Sequence, residues 1–295
     1  MEPKHPRLPL DALDNLWLQV GGTMCNLRCA HCYLSCSPTN RLFEPMTRDH
    51  VKGFLEESEG LGVKEYYMTG GEPFMNPHIL DILDMTLSYG PATVLTNATL
   101  ISPDHVERMA RMEAASIYSL EIRISLEGYT AQMNDALRGR GAFEKAMKGV
   151  NLLVQQGFLP IITITRTWDK DDGKILKGFQ DMLKAGGYDR PRLKVLPSLK
   201  MGRELTRDRG YTKHEWVTKE MMEEYDISQL VCSSTRVATN RGVYVCPILL
   251  EDDDACMGES LKHAMGEVEL RHQACFTCYS YGAICSNISL PGRHA

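Results

Sequence analysis

Cys25-Asn26-Leu27-Arg28-Cys29-Ala30-His31-Cys32 decides how the rest of this chain is read. The stretch is C-x3-C-x2-C, and it follows a short apolar run at 15–20 with the pattern of a buried strand. Three thiolates on one tight loop suit an iron–sulfur cluster better than other common metal groups. The odd number matters, because a four-iron cubane held by three protein ligands keeps one iron open to a small molecule. Cys36 leaves two other readings standing: a four-cysteine electron-transfer cluster and a zinc site. Zinc sites usually pair cysteines as two separated clips, whereas this run is one clip plus an offset. The even total of ten cysteines also allows a disulfide framework. The opening residues Met1-Glu2-Pro3-Lys4-His5-Pro6 show no apolar secretory segment, however, and clustered cysteines in a reducing compartment point to metal.

Outward from the cysteines, strand-like and helix-like runs alternate. Strand patterns fall at 15–20, 65–69, 92–96, 117–125, 160–166 and 192–196. Helix patterns fall at 48–61, with Thr47 as N-cap and Gly62 as the stop, and at 76–88, 102–112, 142–156 and 172–184. Repeated strand–helix order predicts parallel strands joined by right-handed crossovers. Six such units make an α/β fold, a partial (β/α)6 TIM-like barrel. In the run at 117–125, Leu120, Ile122, Ile124 and Leu126 alternate with Ser119, Glu121, Arg123, Ser125 and Glu127. Buried parallel strands usually read apolar on both faces, so this alternation predicts a polar cavity inside the barrel. An edge strand with one wet face is the other reading. Glu121, Arg123 and Tyr66, read as inward-facing, are candidate catalytic groups.

The bulk numbers set limits. A chain of 295 residues has room for one large domain or two ordinary ones. At 43% hydrophobic and 24% charged, the composition is that of a soluble globular protein. The net charge of −5 and the lack of a long apolar run predict no nucleic-acid partner and no membrane partner. A cytoplasmic, reducing and oxygen-poor setting is expected. The charged stretch at 203–209 reads as a solvated loop, and the sixteen Met as core filler.

Gly70-Gly71-Glu72-Pro73 ends the second strand-like run. Together with the cysteine motif it resembles the radical S-adenosylmethionine (SAM) superfamily. The resemblance implies that Cys25, Cys29 and Cys32 ligate a [4Fe–4S] cluster whose open iron is chelated by SAM. It further implies that Gly70, Gly71, Glu72 and Pro73 belong to the motif that holds the SAM amino group. Thr96-Asn97-Ala98 matches a family Thr-Asn-Gly, with Ala98 replacing Gly, and makes Asn97 a contact. Ser125-Leu126-Glu127-Gly128 resembles the family's Ser-Leu-Asp-Gly, so Ser125 and Glu127 would touch ribose and carboxylate. The segment from Arg138-Gly139 through 142–146 is also similar to the family's segment after that strand. Arg166 is a further candidate for SAM or substrate, and His31 would pack on the adenine. The reaction the family performs is reductive cleavage of SAM to a 5′-deoxyadenosyl radical, which abstracts a substrate hydrogen.

The other six cysteines, Cys232, Cys246, Cys256, Cys275, Cys278 and Cys285, all lie in the C-terminal quarter of the chain. That clustering signals a separate metal-bearing module. Asn240-Arg241-Gly242 inside 235–246 predicts a β-hairpin flanked by Cys232 and Cys246. The group resembles a shortened SPASM, or twitch, extension, which carries auxiliary [4Fe–4S] clusters. The resemblance implies one auxiliary cluster on Cys232, Cys246, Cys275 and Cys278, with Cys285 as the alternative to one of these four. Cys256, beside four acidic residues at 251–254, is expected not to be a ligand. A structural zinc staple is the competing reading. The domain division is then 1–200 for the barrel, 201–230 for a connecting segment, and 231–295 for a cysteine-rich extension of hairpin plus short helix. The function expected is modification of a ribosomally made peptide or oxidation of a small molecule, with electrons from a flavodoxin- or ferredoxin-type reductant. The alternative from another class is a non-catalytic iron–sulfur electron carrier or a zinc-stapled binding protein.

Overall fold

The computed structural model describes residues 5–168, 171–282 and 284. In chain order the strands are β1 (Arg7–Leu8), β2 (Asn15–Leu18), β3 (Glu65–Met68), β4 (Ala92–Thr96), β5 (Leu120–Ser125), β6 (Ile161–Thr165) and β7 (Arg192–Leu196). They continue with β8 (Thr235–Thr239), β9 (Gly242–Tyr244), β10 (Cys256–Gly258) and β11 (Val268–Glu269). The helices are α1 (Arg48–Ser58), α2 (Ile79–Thr86), α3 (Pro103–Ala115), α4 (Ala131–Arg138), α5 (Ala142–Gln155), α6 (Asp172–Ala185) and α7 (Ala274–Tyr281). β2 to β7 pair in parallel in chain order, which is the expected partial barrel.

Local chemistry accounts for most helix limits. The Thr47 side chain accepts from the His50 N–H and starts α1. Ser102 and His105 close a capping box around α3, with Pro103 at its first position. α1 stops at Ser58, short of the expected Leu61, because the backbone leaves the helix at Glu59 and Gly60 already has φ 78°. α4 was not expected, because its sequence AQMNDALR is short and mostly polar.

The apolar half of β5 packs outward under the helices. Leu120, Ile122, Ile124 and Leu126 are all buried, with Val150, Leu153, Phe179 and Leu183 in the same cluster. Each such side chain contributes about 1.5–3 kcal/mol on burial. The polar half faces inward: Arg123 and Glu127 are buried at 2% and 1% exposure and line the central cavity with Ser125. β5 lies between β4 and β6 in the middle of the sheet, so it is not an edge strand.

The cysteine-rich extension has the expected hairpin and short helix, but it is not separate in the sheet. β8 pairs in parallel with β2, from Asn15↔Thr235 to Leu18↔Ala238, and β9 and β10 follow antiparallel. The result is one nine-stranded sheet among the described residues, ordered β10-β9-β8-β2-β3-β4-β5-β6-β7. No helix of the described residues is long and apolar enough to cross a membrane.

Candidate active site

A cavity of about 230 Å³ opens at the C-terminal ends of the parallel strands, where α/β sheets place their ligand sites. The loop after β2 brings Cys25, Cys29, Cys32 and Cys36 to its wall, and Gly70, Gly71, Asn97, Ser125 and Thr165 complete the wall from neighbouring strands. The loop is pinned from three sides. The Cys25 N–H donates to Ser37 O at 3.1 Å, and the Ala30 N–H donates to Leu137 O at 2.7 Å. The third side is Arg203. Its Nη1 donates to Cys29 O at 2.6 Å, and its Nη2 donates to Ser35 O at 2.6 Å and Cys36 O at 2.8 Å. Its backbone N–H reaches Cys32 O at 2.9 Å. Gly202, with φ 59°, lies so close that a Cβ there would sit 2.1 Å from Tyr33 O. The stretch at 203–209 is therefore not simply a solvated loop, because its first residue clamps the cysteine loop. Sequence reading missed it, since nothing local marks an arginine whose partners are carbonyls some 170 positions away.

The thiol chemistry suits a metal group. Burial pushes Cys25 up to about 12, against the Leu27 N–H that it accepts at 3.4 Å. Burial also raises Cys29, with Arg138 pulling the other way. Cys36 donates to the Cys32 sulfur, which holds Cys32 down to about 6 and Cys36 well up. Cys32 is thereby set up as a thiolate, whereas the raised thiols of Cys25 and Cys29 keep their protons until a metal displaces them, so binding here releases protons. Buried polar atoms of the cavity-lining residues, among them Trp17 Nε1, His31 Nδ1, Arg138 Nε and Thr163 Oγ1, have no hydrogen-bond partner among the described residues. Orphaned polar atoms around a cavity are what a polar ligand would satisfy. The donor set and the cavity therefore fit a three-thiolate cluster with a polar small molecule beside it.

The glycines allow a close approach. A Cβ on Gly71 would lie 2.0 Å from Met24 O, and one on Gly70 (φ 143°) would lie 2.6 Å from Gly21 Cα. Only a backbone without side chains fits there between β3 and the cysteine loop. Glu72, in contrast, does not line the cavity. Its Oε1 accepts from Phe74 N–H (3.0 Å) and the Thr96 hydroxyl (2.7 Å), and its Oε2 from Asn97 N–H (2.7 Å). This fully buried carboxylate ties the ends of β3 and β4 together, and Pro73 begins the turn Pro73–Met75 behind it. Asn97 does face the cavity, with Nδ2 2.9 Å from Asn26 Oδ1 and 3.7 Å from Cys25 Sγ.

Glu127 is the hub of the opposite wall. Its Oε1 lies 3.0 Å from His31 Nε2 and accepts from Arg138 Nη2 at 2.7 Å, and its Oε2 accepts from the Thr165 N–H at 2.8 Å. Burial alone would raise its carboxyl, but His31 and Arg138 hold it below the usual glutamate value. Glu127 thus positions His31, and its carboxylate is already taken up by protein donors. Arg138 Nη1 also reaches to 4.0 Å from Cys29 Sγ.

Three expected residues are elsewhere. Tyr66 points to the helix side, where its hydroxyl lies 2.8 Å from Ser58 Oγ; the inward neighbour is Tyr67, stacked on Trp17 at 4.5 Å. Strand parity decides this, since Tyr66 shares its register with Leu16 and Ala92 of the outer core. Glu121 is on the inward set but at the N-terminal end of β5, where Arg192 binds it at 2.5 Å, outside the cavity. Arg166 ion-pairs with Asp172 at the start of α6, also outside the cavity. Of the three proposed catalytic groups, Arg123 alone lines the cavity.

A second cavity of about 350 Å³ is lined by Cys232, Cys246, Cys256, Cys275 and Cys278. The turn Val231–Ser233 before β8, the loop that follows β9 and helix α7 supply the four expected cysteines, with Cys275 and Cys278 on one helix face. Burial raises Cys232 and Cys246, and pushes Cys275 up to about 12. Four thiols from three places in the fold line this one cavity; no three of their sulfurs lie within 4.8 Å of one another, so the spacing suits a multi-iron cluster better than a single zinc ion. Cys256, on β10, is exposed at the rim. Cys285 lies outside the described residues. Ile248 lines both cavities, so one side chain forms part of the wall between them.

Comparison with known proteins gives a consistent result. A profile of the Radical SAM superfamily matches residues 20–169, just over half of the chain. An AdoMet-dependent heme synthase of Methanosarcina barkeri is 33% identical over 136 residues, covering 45% of this chain and 37% of that protein. The mycofactocin maturase MftC of Mycobacterium tuberculosis is 34% identical over 146 residues, covering 48% and 36%. The chain thus matches little more than a third of the length of these curated relatives. A solved structure of anSMEcpe with bound AdoMet and a Cp18Cys peptide superposes with a TM-score of 0.63 at 12% identity, covering 92% of this chain and 89% of that one.

Proposed function

The chain belongs to the radical SAM superfamily, and from that premise we propose that it is a SAM-dependent radical enzyme acting on a peptide. The chemistry that a bound [4Fe–4S] cluster and SAM supply in this family is one-electron cleavage of the sulfonium, yielding a 5′-deoxyadenosyl radical for hydrogen abstraction. The observation that carries the reading is the convergence of Cys25, Cys29 and Cys32 with Gly70, Gly71, Asn97 and Ser125 on one cavity.

The protein's own part is binding, orientation and exclusion of water. Cys25, Cys29 and Cys32 would hold the cluster, with Cys36 a donor to the Cys32 sulfur rather than a fourth ligand. Gly70 and Gly71 let SAM approach the backbone, while Asn97, Ser125 and Thr165 offer polar contacts. Trp17, Tyr33, Leu196 and Ile248 give the cavity an apolar side that keeps water from a reactive intermediate. Cys232, Cys246, Cys275 and Cys278 would hold an auxiliary cluster across Ile248, and a flavodoxin- or ferredoxin-type protein would supply electrons. A peptide substrate is supported by the relative named as a maturase and by the fold neighbour that binds a peptide.

Single-site variants test the ligand set. Cys29→Ala is expected to lose the iron of the first site, whereas Cys36→Ala keeps it, as measured by iron content and electron paramagnetic resonance after anaerobic reconstitution. Equal loss in both variants would instead make the first site a four-cysteine electron-transfer centre.

A further inference from the structure

Arg236, in β8, is completely buried, with 0% exposure. Its Nε donates to Ala264 O at 2.6 Å, its Nη1 to Cys232 O at 2.8 Å and Thr235 O at 2.7 Å, and its Nη2 to Gly266 O at 3.0 Å. All four acceptors are neutral carbonyls. They satisfy the N–H groups but supply no countercharge. The contrast with Arg138 is direct, because that buried guanidinium has the Glu127 carboxylate at 2.7 Å. Among the described residues no carboxylate forms an ion pair with Arg236, and its bond to Cys232 O sets it directly beside the first cysteine of the second site.

A guanidinium holds its proton inside a protein, and burying a charge without a partner is among the costliest arrangements a fold can contain. Neutral thiols would leave that cost uncompensated. Thiolates on a metal would not: four of them on zinc or on a [4Fe–4S] cluster carry a net charge of about −2. We propose that Arg236 is the built-in countercharge of an anionic metal–thiolate group held by Cys232, Cys246, Cys275 and Cys278, and that its grip on Cys232 O orients one ligand. This rests on the four-cysteine reading given above. It makes occupancy of the second site and the stability of the sheet around β8 mutually dependent, and it ties the 263–266 segment, which carries none of the four ligands, to the metal.

The test uses the full chain carrying Cys25→Ala, Cys29→Ala and Cys32→Ala, so that only the second site can take metal. Iron and zinc content identify the group, and affinity and thermal midpoint are measured with and without it. Arg236→Met should weaken metal binding on the order of 10–100-fold and shrink the gain in thermal midpoint on loading, while Arg236→Lys, which keeps the charge, should stay closer to the parent. Equal binding by the parent and Arg236→Met overturns the countercharge, as does an Arg236→Lys variant that falls as far as Arg236→Met. A parent that takes up no metal overturns the four-cysteine site and the countercharge with it. If Arg236→Met does not accumulate, hydrogen exchange on the parent decides: stripping the metal should open the amides of β8 and of residues 263–266, and unchanged protection overturns the proposal.

Discussion

At the scale of the residue, Glu127 shows how one side chain can be found by pattern while its protein partners go unread. Ser125-Leu126-Glu127-Gly128 marks the end of β5 as part of the site, and Glu127 does line the cavity. Its carboxylate, however, is bound to Arg138, His31 and the Thr165 N–H. Arg138 comes from a helix that no periodicity announces, so the hub could not be read from the local motif. The carboxyl sits below its ordinary value of 4.5 in the folded protein, so its stabilising contribution is present above that pH and is lost as pH falls through the lower folded value. Glu127→Gln should therefore lower stability at neutral pH by about 3–5 kcal/mol, the cost of leaving buried Arg138 without its anion. It should also flatten the acid limb of the stability–pH curve. Denaturant unfolding of both proteins across that range checks both statements. An unchanged midpoint at neutral pH would show that the hub contributes nothing.

At the scale of the element, strands and long helices were legible because their apolar periods are plain, and β4 and β7 match their expected limits. The alternation in β5 was legible for the same reason, and it located the cavity before any strand was paired. Tyr66 failed because Tyr66 and Tyr67 are adjacent aromatics, and which of them faces inward depends on register with β2 and β4. The segment Gly202–Thr206 failed for a different reason: its function is a backbone contact between distant parts of the chain. Arg203 donates to three carbonyls of the cysteine loop, and each hydrogen bond to a charged group contributes about 1.5–3 kcal/mol. Arg203→Ala should destabilise the protein by about 3 kcal/mol or more and reduce the iron retained at the first site. Arg203→Lys should restore only part of this, because an ammonium does not reproduce the planar fork. Thermal unfolding and iron content measure the effect, and a variant matching the parent in both would show that Arg203 clamps nothing.

At the scale of the whole molecule, the two cysteine groups share one architecture. The hairpin of β8 and β9 extends the barrel sheet through β2, the same strand that leads into the first cysteine loop. Clustering along the sequence suggested a separate module, because spacing cannot show that a distant hairpin joins an existing sheet edge. The consequence is proximity, with Ile248 lining both cavities and the Tyr33 hydroxyl of the first loop donating to Pro247 O at 3.3 Å. The proposed function stands or falls on whether the first cavity supports cleavage of SAM. The decisive experiment is release of 5′-deoxyadenosine from SAM by the anaerobically reconstituted protein with a low-potential reductant, alongside Cys25→Ala. Release by the parent and none by Cys25→Ala is the expected outcome; no release by a parent shown to carry iron at the first site, or equal release by both proteins, would overturn the proposal.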